Sequence, residues 1–161
     1  MVETRVAAGP ARRRRVPALR RMTLGTALLV ILQIALGMVV NLYVTVPARH
    51  PGANPANYFT GSARSVGWSV SQGPVWLAIH ASLGLALVLM AIAVAAYAAA
   101  ARAGWVAVTS VLGGLLIIGA GFNGASFVDF GHDISSLLMA LLALGALACY
   151  LTGLYLLPAR R

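Results

Sequence analysis

The chain has 161 residues, of which 60% are hydrophobic and only 9% charged, and its mean hydropathy is +0.87. Soluble domains carry about 25% charged residues, and a domain this small leaves much of its chain facing solvent, so a water-soluble globular fold is excluded and lipid is the solvent that suits this composition. The formal net charge of +9 comes from twelve arginines and no lysine, seven of them within the first 21 positions. That basic run has no interleaved aromatic residue on which bases could stack, so it reads as a cytoplasmic anchor and no nucleic-acid partner is expected. The arginine bias and the alanine content point to a bacterial genome rich in GC.

Taken in chain order, residues 1–21 are basic, contain Pro10 and Pro17, and are expected to form a disordered cytoplasmic tail. A first apolar helix is predicted from Thr23 to Val46, ended by Pro47. Its length of about 36 Å crosses a hydrocarbon core of about 30 Å with some tilt, and it is too long for the apolar core of a signal peptide. Residues 47–73 read as a long loop with Pro47, Pro51, Pro55 and the aromatics Tyr58, Phe59 and Trp68, which suit the headgroup level. His50 in this loop reads as a surface histidine.

The second helix is predicted over 74–100, with Pro74 in the first turn, where a missing N–H costs nothing. A tight turn around Arg102 leads to a third helix over 105–122. A polar loop, 123–133, carries Asn123, Asp129, His132 and Asp133. A fourth helix follows over 134–157, and residues 159–161 form a short cytoplasmic tail. Residues 22–158 are thus expected to form one all-α, four-helix integral membrane bundle with up-down-up-down topology. Ten arginines fall on the side of the two termini and the Arg102 turn, and two, Arg49 and Arg64, on the other. The positive-inside rule then places both termini in the cytoplasm of a multi-pass protein of the bacterial cytoplasmic membrane.

Polar side chains within apolar helices are costly and ask for a reason. Gln33, Gly37 and Asn41 recur every four residues and share a face of the first helix; His80 and Gly84 do the same on the second. Glycines at 37, 84, 113, 114 and 119, with the ridge Ala140, Ala143 and Ala146, read as helix-packing positions. Cys149 reads as a small hydrophobe. His80, about six residues or ~9 Å inside its helix, is the candidate ligand, since neutral imidazole binds iron or copper. His132 is its candidate partner, and Asn41, Gln33, Asn123 and Asp129 are candidates to bond the far nitrogens of the two rings. A weak echo between Gly37–Asn41 and Gly119–Asn123, and between His80–Gly84 and His132–Ser136, would fit two related hairpins. Nucleotide hydrolysis, zinc-protease chemistry and carboxylate-driven proton pumping have no motif in this sequence.

The segments Gln33-Ile34-Ala35-Leu36-Gly37 and His80-Ala81-Ser82-Leu83-Gly84, with a last helix entered near His132, resemble one four-helix half of the haem A synthase family. That resemblance implies histidines on the second and fourth helices and a haem near the outer face, although the first two helices of this chain lack an acidic residue and there is no second bundle. The phrases Gly37-Met38-Val39-Val40-Asn41-Leu42-Tyr43 and Gly121-Phe122-Asn123-Gly124-Ala125-Ser126-Phe127 resemble, more closely, a family of small uncharacterised four-helix bacterial membrane proteins. Together the likenesses cover residues 24–157. Three functions follow as expectations: a membrane protein binding haem b through His80 and His132, a non-catalytic subunit or assembly bundle with a membrane-protein partner or a second copy of itself, and a small-solute carrier or channel.

Overall fold

The computed structural model describes residues 10–158, with side chains from Val16 onward. Five helices follow one another: α1 (Pro10–Tyr43), α2 (Tyr58–Ser71), α3 (Val75–Ala100), α4 (Trp105–Phe130) and α5 (Asp133–Leu156). No strand occurs among the described residues. Four of the helices are long and apolar enough to cross a membrane, over Val16–Tyr43, Val75–Ala100, Trp105–Phe130 and Asp133–Leu156. The chain is an all-α multi-pass membrane bundle.

Many of the bundle's leucines face outward, while small and hydroxyl-bearing side chains make up much of its interior beside Leu19, Leu87, Ile117 and Tyr150. Leu28, Leu89, Leu115 and Leu141 are exposed on its outer surface, whereas Thr23, Thr26, Ala91, Ala98, Ser110 and Ala146 are buried. Lipid solvates leucine as well as a protein core does, so nothing drives leucine inward. Helices associate instead through close van der Waals contact, which small residues permit, and through polar bonds. Thr26 and Ser110 return their hydroxyls to the carbonyls of Met22 and Val106 in the preceding turn (2.9 and 2.7 Å).

The four spanning helices form a ring in which α1 packs on α3 and α5, and α4 packs on α3 and α5; α2 lies across α3 and α4 at one end. Both chain ends meet at the opposite end, where Arg20 donates to the carbonyls of Leu157 and Pro158 (3.0 and 2.8 Å). The sharp α3–α4 turn lies at that end too. It closes with Ala103 N–H on Ala98 O and Arg102 N–H on Ala99 O, and holds Arg102 at φ 50.

Four boundaries differ from expectation. Helix α1 begins at Pro10, so residues 10–21 are helical where disorder was expected, and residues 1–9 and 159–161 lie outside the described residues. It ends at Tyr43, before Pro47. The loop expected over 47–73 contains α2, started by Asn57, whose side chain accepts from Thr60 N–H (3.1 Å). Helix α4 continues two turns past residue 122, through the stretch expected to be a polar loop, and stops at Gly131 in the left-handed conformation (φ 68).

Those last two differences have one cause. Helix α2 turns Gly61, Ser62, Ser65 and Ser69 inward and bonds to the last turns of α4. Tyr58 Oη donates to Phe122 O (2.8 Å) and lies 3.0 Å from Ser126 Oγ; Ser62 Oγ donates to Asp129 Oδ2 (2.9 Å); Asn54 N–H donates to Asp129 O (2.9 Å). The polar residues that resemble a loop in sequence are thus the helical face that α2 and its approach cover. His50 takes part: it is half-buried, stacked on Trp68 (centroids 4.5 Å, 17°), with Nε2 at 3.1 Å from Val128 O, and is not a free surface residue.

Candidate functional site: a cavity at the α2 end

Between α1, α3, α4 and α5, in the half of the bundle capped by α2, lies a cavity of about 220 Å³. Its walls are almost wholly apolar, with Val40, Leu77, Leu87, Ile117 and Ala143 among them, and Val66 and Ser69 of α2 close its end. Met38 and Leu85 belong both to its wall and to the exposed surface of the bundle, so it communicates with the surface there. Besides Asn41 at its rim, α1 and α3 bring two hydrogen-bonding side chains to it, Gln33 and His80.

These two side chains are seated by glycines. A Cβ on Gly37 would stand 3.1 Å from His80 Cε1, and one on Gly84 would stand 3.1 Å from Gln33 Nε2. Since α1 and α3 are antiparallel, the spacing of four between Gln33 and Gly37 matches that between Gly84 and His80 in reverse. Each polar side chain fills the notch left by the other helix's glycine. The amide of Gln33 reaches His80 twice, at the carbonyl oxygen (3.1 Å) and at ring Nε2 (3.2 Å). Two atoms of the pair, His80 Nδ1 and Gln33 Oε1, are buried with no hydrogen-bond partner.

The other candidate residues are not gathered at this wall. His132 stands exposed at the N-cap of α5, stacked on Phe130 (centroids 5.7 Å, 17°), and is not part of the cavity wall. Asn123 donates back to Gly119 O in its own helix (2.9 Å). Asp129, 2% exposed, faces Ser62 of α2. Asn41 is exposed at the cavity rim, within 3.4 Å of Ser136 Oγ. The echo between hairpins therefore does not extend to the contacts: Asn41 bonds across to α5, while Asn123 bonds within α4.

The two histidines expected to hold a haem iron are not brought together. His80 Nε2 lies 3.2 Å from the Gln33 amide nitrogen. His132, the expected second ligand, lies outside the cavity. No group of three histidine, cysteine, aspartate or glutamate side chains able to hold a metal ion occurs among the described residues.

Sequence reasoning singled out Gln33 and His80 but not their mutual bond. The matched four-residue spacings were the available signal. It missed Ser69, whose hydroxyl is buried without a partner at the cavity's α2 end, because α2 itself was not expected. Comparison of the chain with protein-family models, with curated proteins and with solved structures finds no match.

Proposed function

We propose that this protein is a non-catalytic membrane bundle that holds a small lipid-soluble molecule in the cavity at its α2 end. The observation that carries this reading is the cavity itself: apolar on nearly every side, reaching the bundle surface at Met38 and Leu85, with the bonded pair Gln33 and His80 on one wall. Ligand sites are concave and mostly apolar, with a few placed polar groups that set orientation. An apolar cavity of about 150 Å³ accepts benzene, so 220 Å³ admits a single ring with a short substituent. Anything longer extends past Met38 and Leu85 into lipid.

The test is binding of ethylbenzene to the protein in lipid nanodiscs by equilibrium dialysis. Wild type is expected to retain more ligand than Ala140→Phe, whose larger side chain fills the cavity. Equal retention by both would defeat the proposal. The competing haem b reading is tested by the visible spectrum of protein expressed with ample haem. A Soret band lost in His80→Ala and kept in His50→Ala would make haem the occupant in place of a small lipid-soluble molecule; no such band is expected.

The proposed setting is the bacterial cytoplasmic membrane with both termini inside and α2 outside, supported by ten arginines at the terminal end against Arg49 and Arg64 at the α2 end. A reporter after Arg161 should behave as cytoplasmic and one near Asn57 as external; the opposite pattern would invert the orientation.

A further inference from the structure

We propose that the terminal end of the bundle is a binding surface for the headgroups of anionic phospholipids. The charge of the chain is divided unevenly. At the α2 end Arg49 and Arg64 are balanced by Asp129 and Asp133, whereas the ten arginines of the terminal end are opposed in the sequence by Glu3 alone. The whole formal charge of +9 therefore belongs to one end.

The fold sets these charges in two tiers. Arg20 bonds the carbonyls of Leu157 and Pro158, so position 20 of α1 is level with the end of α5. Arg21 beside it is exposed, and so is Arg102 in the α3–α4 turn. Trp105, three residues after Arg102, is 74% exposed, and Tyr155, two residues before Leu157, is 89% exposed. Aromatic side chains on the outside of an apolar bundle mark the headgroup level, so Arg21 and Arg102 stand among the phosphates. Helix α1 does not stop there. It runs on to Pro10, roughly 15 Å further by helical rise, and carries Arg12 to Arg15 on four consecutive positions, which go almost once round a helix.

The chemistry of the cations selects the partner. All twelve are guanidinium groups, whose paired N–H donors match two oxygens of one phosphate. A phosphatidylcholine headgroup brings its own ammonium, which offsets the attraction; a phosphatidylglycerol headgroup does not. Basic segments beside a spanning helix are drawn to such anionic lipids. The aromatic level of Trp105 and Tyr155 favours lipid over nucleic acid, because it places the first tier inside the headgroup layer.

The experiment uses a Trp68→Phe, Trp76→Phe chain, in which Trp105 is the remaining tryptophan. Its quenching by chain-brominated lipid is measured in mixed bilayers of phosphatidylglycerol and phosphatidylcholine, each brominated in turn, which gives the relative binding of the two beside Trp105. Phosphatidylglycerol is expected to be favoured about fivefold, the worth of one arginine near a charged surface. Arg102→Asn removes the charge and tolerates the φ of 50 at that turn; it should bring the ratio close to one, while Arg64→Gln at the α2 end leaves it unchanged. High salt, with a screening length of about 3 Å at 1 M, should also lower the ratio without any change of arginine.

Equal quenching by the two lipids, or a preference unmoved by salt or by Arg102→Asn, would overturn the proposal. Binding of single-stranded DNA to the same bilayers without a lipid preference would also overturn it and give the arginines to a nucleic acid. The bilayers have the same lipids on both faces, so the result does not depend on which end lies inside. The cavity takes no part, so lipid preference and ethylbenzene binding succeed or fail separately.

Discussion

Helices α1 and α3 meet as antiparallel neighbours through glycines, and so do α4 and α5, but the glycines receive different things. Along α4 and α5 five notches are filled by bulk from the facing helix. A Cβ on Gly113 would stand 3.1 Å from the Tyr150 ring and 3.3 Å from Cys149 Cβ; one on Gly119, Gly124, Gly145 or Gly153 would meet Leu142, Met139, Leu116 or Thr109 at 2.9–3.4 Å. Between α1 and α3 the notches at Gly37 and Gly84 hold an imidazole edge and an amide tip. The first seam is closed at those five glycines, although Gly124 and Met139 also line the cavity. The second leaves two polar atoms unmet and borders a cavity. In lipid, where apolar burial does not drive helices together, stability comes from fitted contact, and the proposed ligand site is where the fit is left incomplete.

The comparison breaks most easily at the closed seam. Gly113→Leu should cost the most, because Tyr150 is buried and cannot retreat; overpacking of this kind costs about 1–3 kcal/mol. Thermal unfolding in detergent should show a clear fall in Tm, and an unchanged Tm would mean the seam is looser than its geometry. Gln33→Leu removes both bonds to His80 from the open seam. Interhelical bonds in membranes average about 0.6 kcal/mol each, so the loss should be roughly 1 kcal/mol, below that of Gly113→Leu in the same assay. If Gln33→Leu proved the more damaging, the polar pair and not the glycine seam would be the bundle's main fastening. The smallest effect is expected away from both seams. Gly67 of α2 is exposed and a Cβ there would meet nothing within 4 Å, so Gly67→Ala should favour the helix by about 0.5–1 kcal/mol. Slower hydrogen exchange of the α2 amides, with little change in global Tm, is the expected result.

The regions also differ in how far the sequence discloses them. The spanning helices α3 and α5 lie within a residue of their expected bounds, because runs of apolar residues read the same whatever they pack on. The last two turns of α4 and the whole of α2 do not show in this way. Asn123, Gly124, Ser126 and Asp129 look like a loop until Tyr58, Asn54 and Ser62 are placed beside them. Likewise the four-residue spacings of Gln33 with Gly37 and of His80 with Gly84 show that each pair shares a helix face, but not that the two faces meet.

Composition and hydropathy alone therefore determined that lipid is the solvent, that the chain crosses it four times, and that glycine and alanine would lie where helices touch. These follow from transfer free energies and helical periodicity, which are local properties. Only the tertiary structure decided that His80 is joined to Gln33 and not to His132, that α2 folds over the end of α4, and that a cavity remains between the helices. Each of those depends on which surfaces of distant segments come into register, and a side chain's free hydrogen-bonding atoms are known only once its neighbours have taken the others.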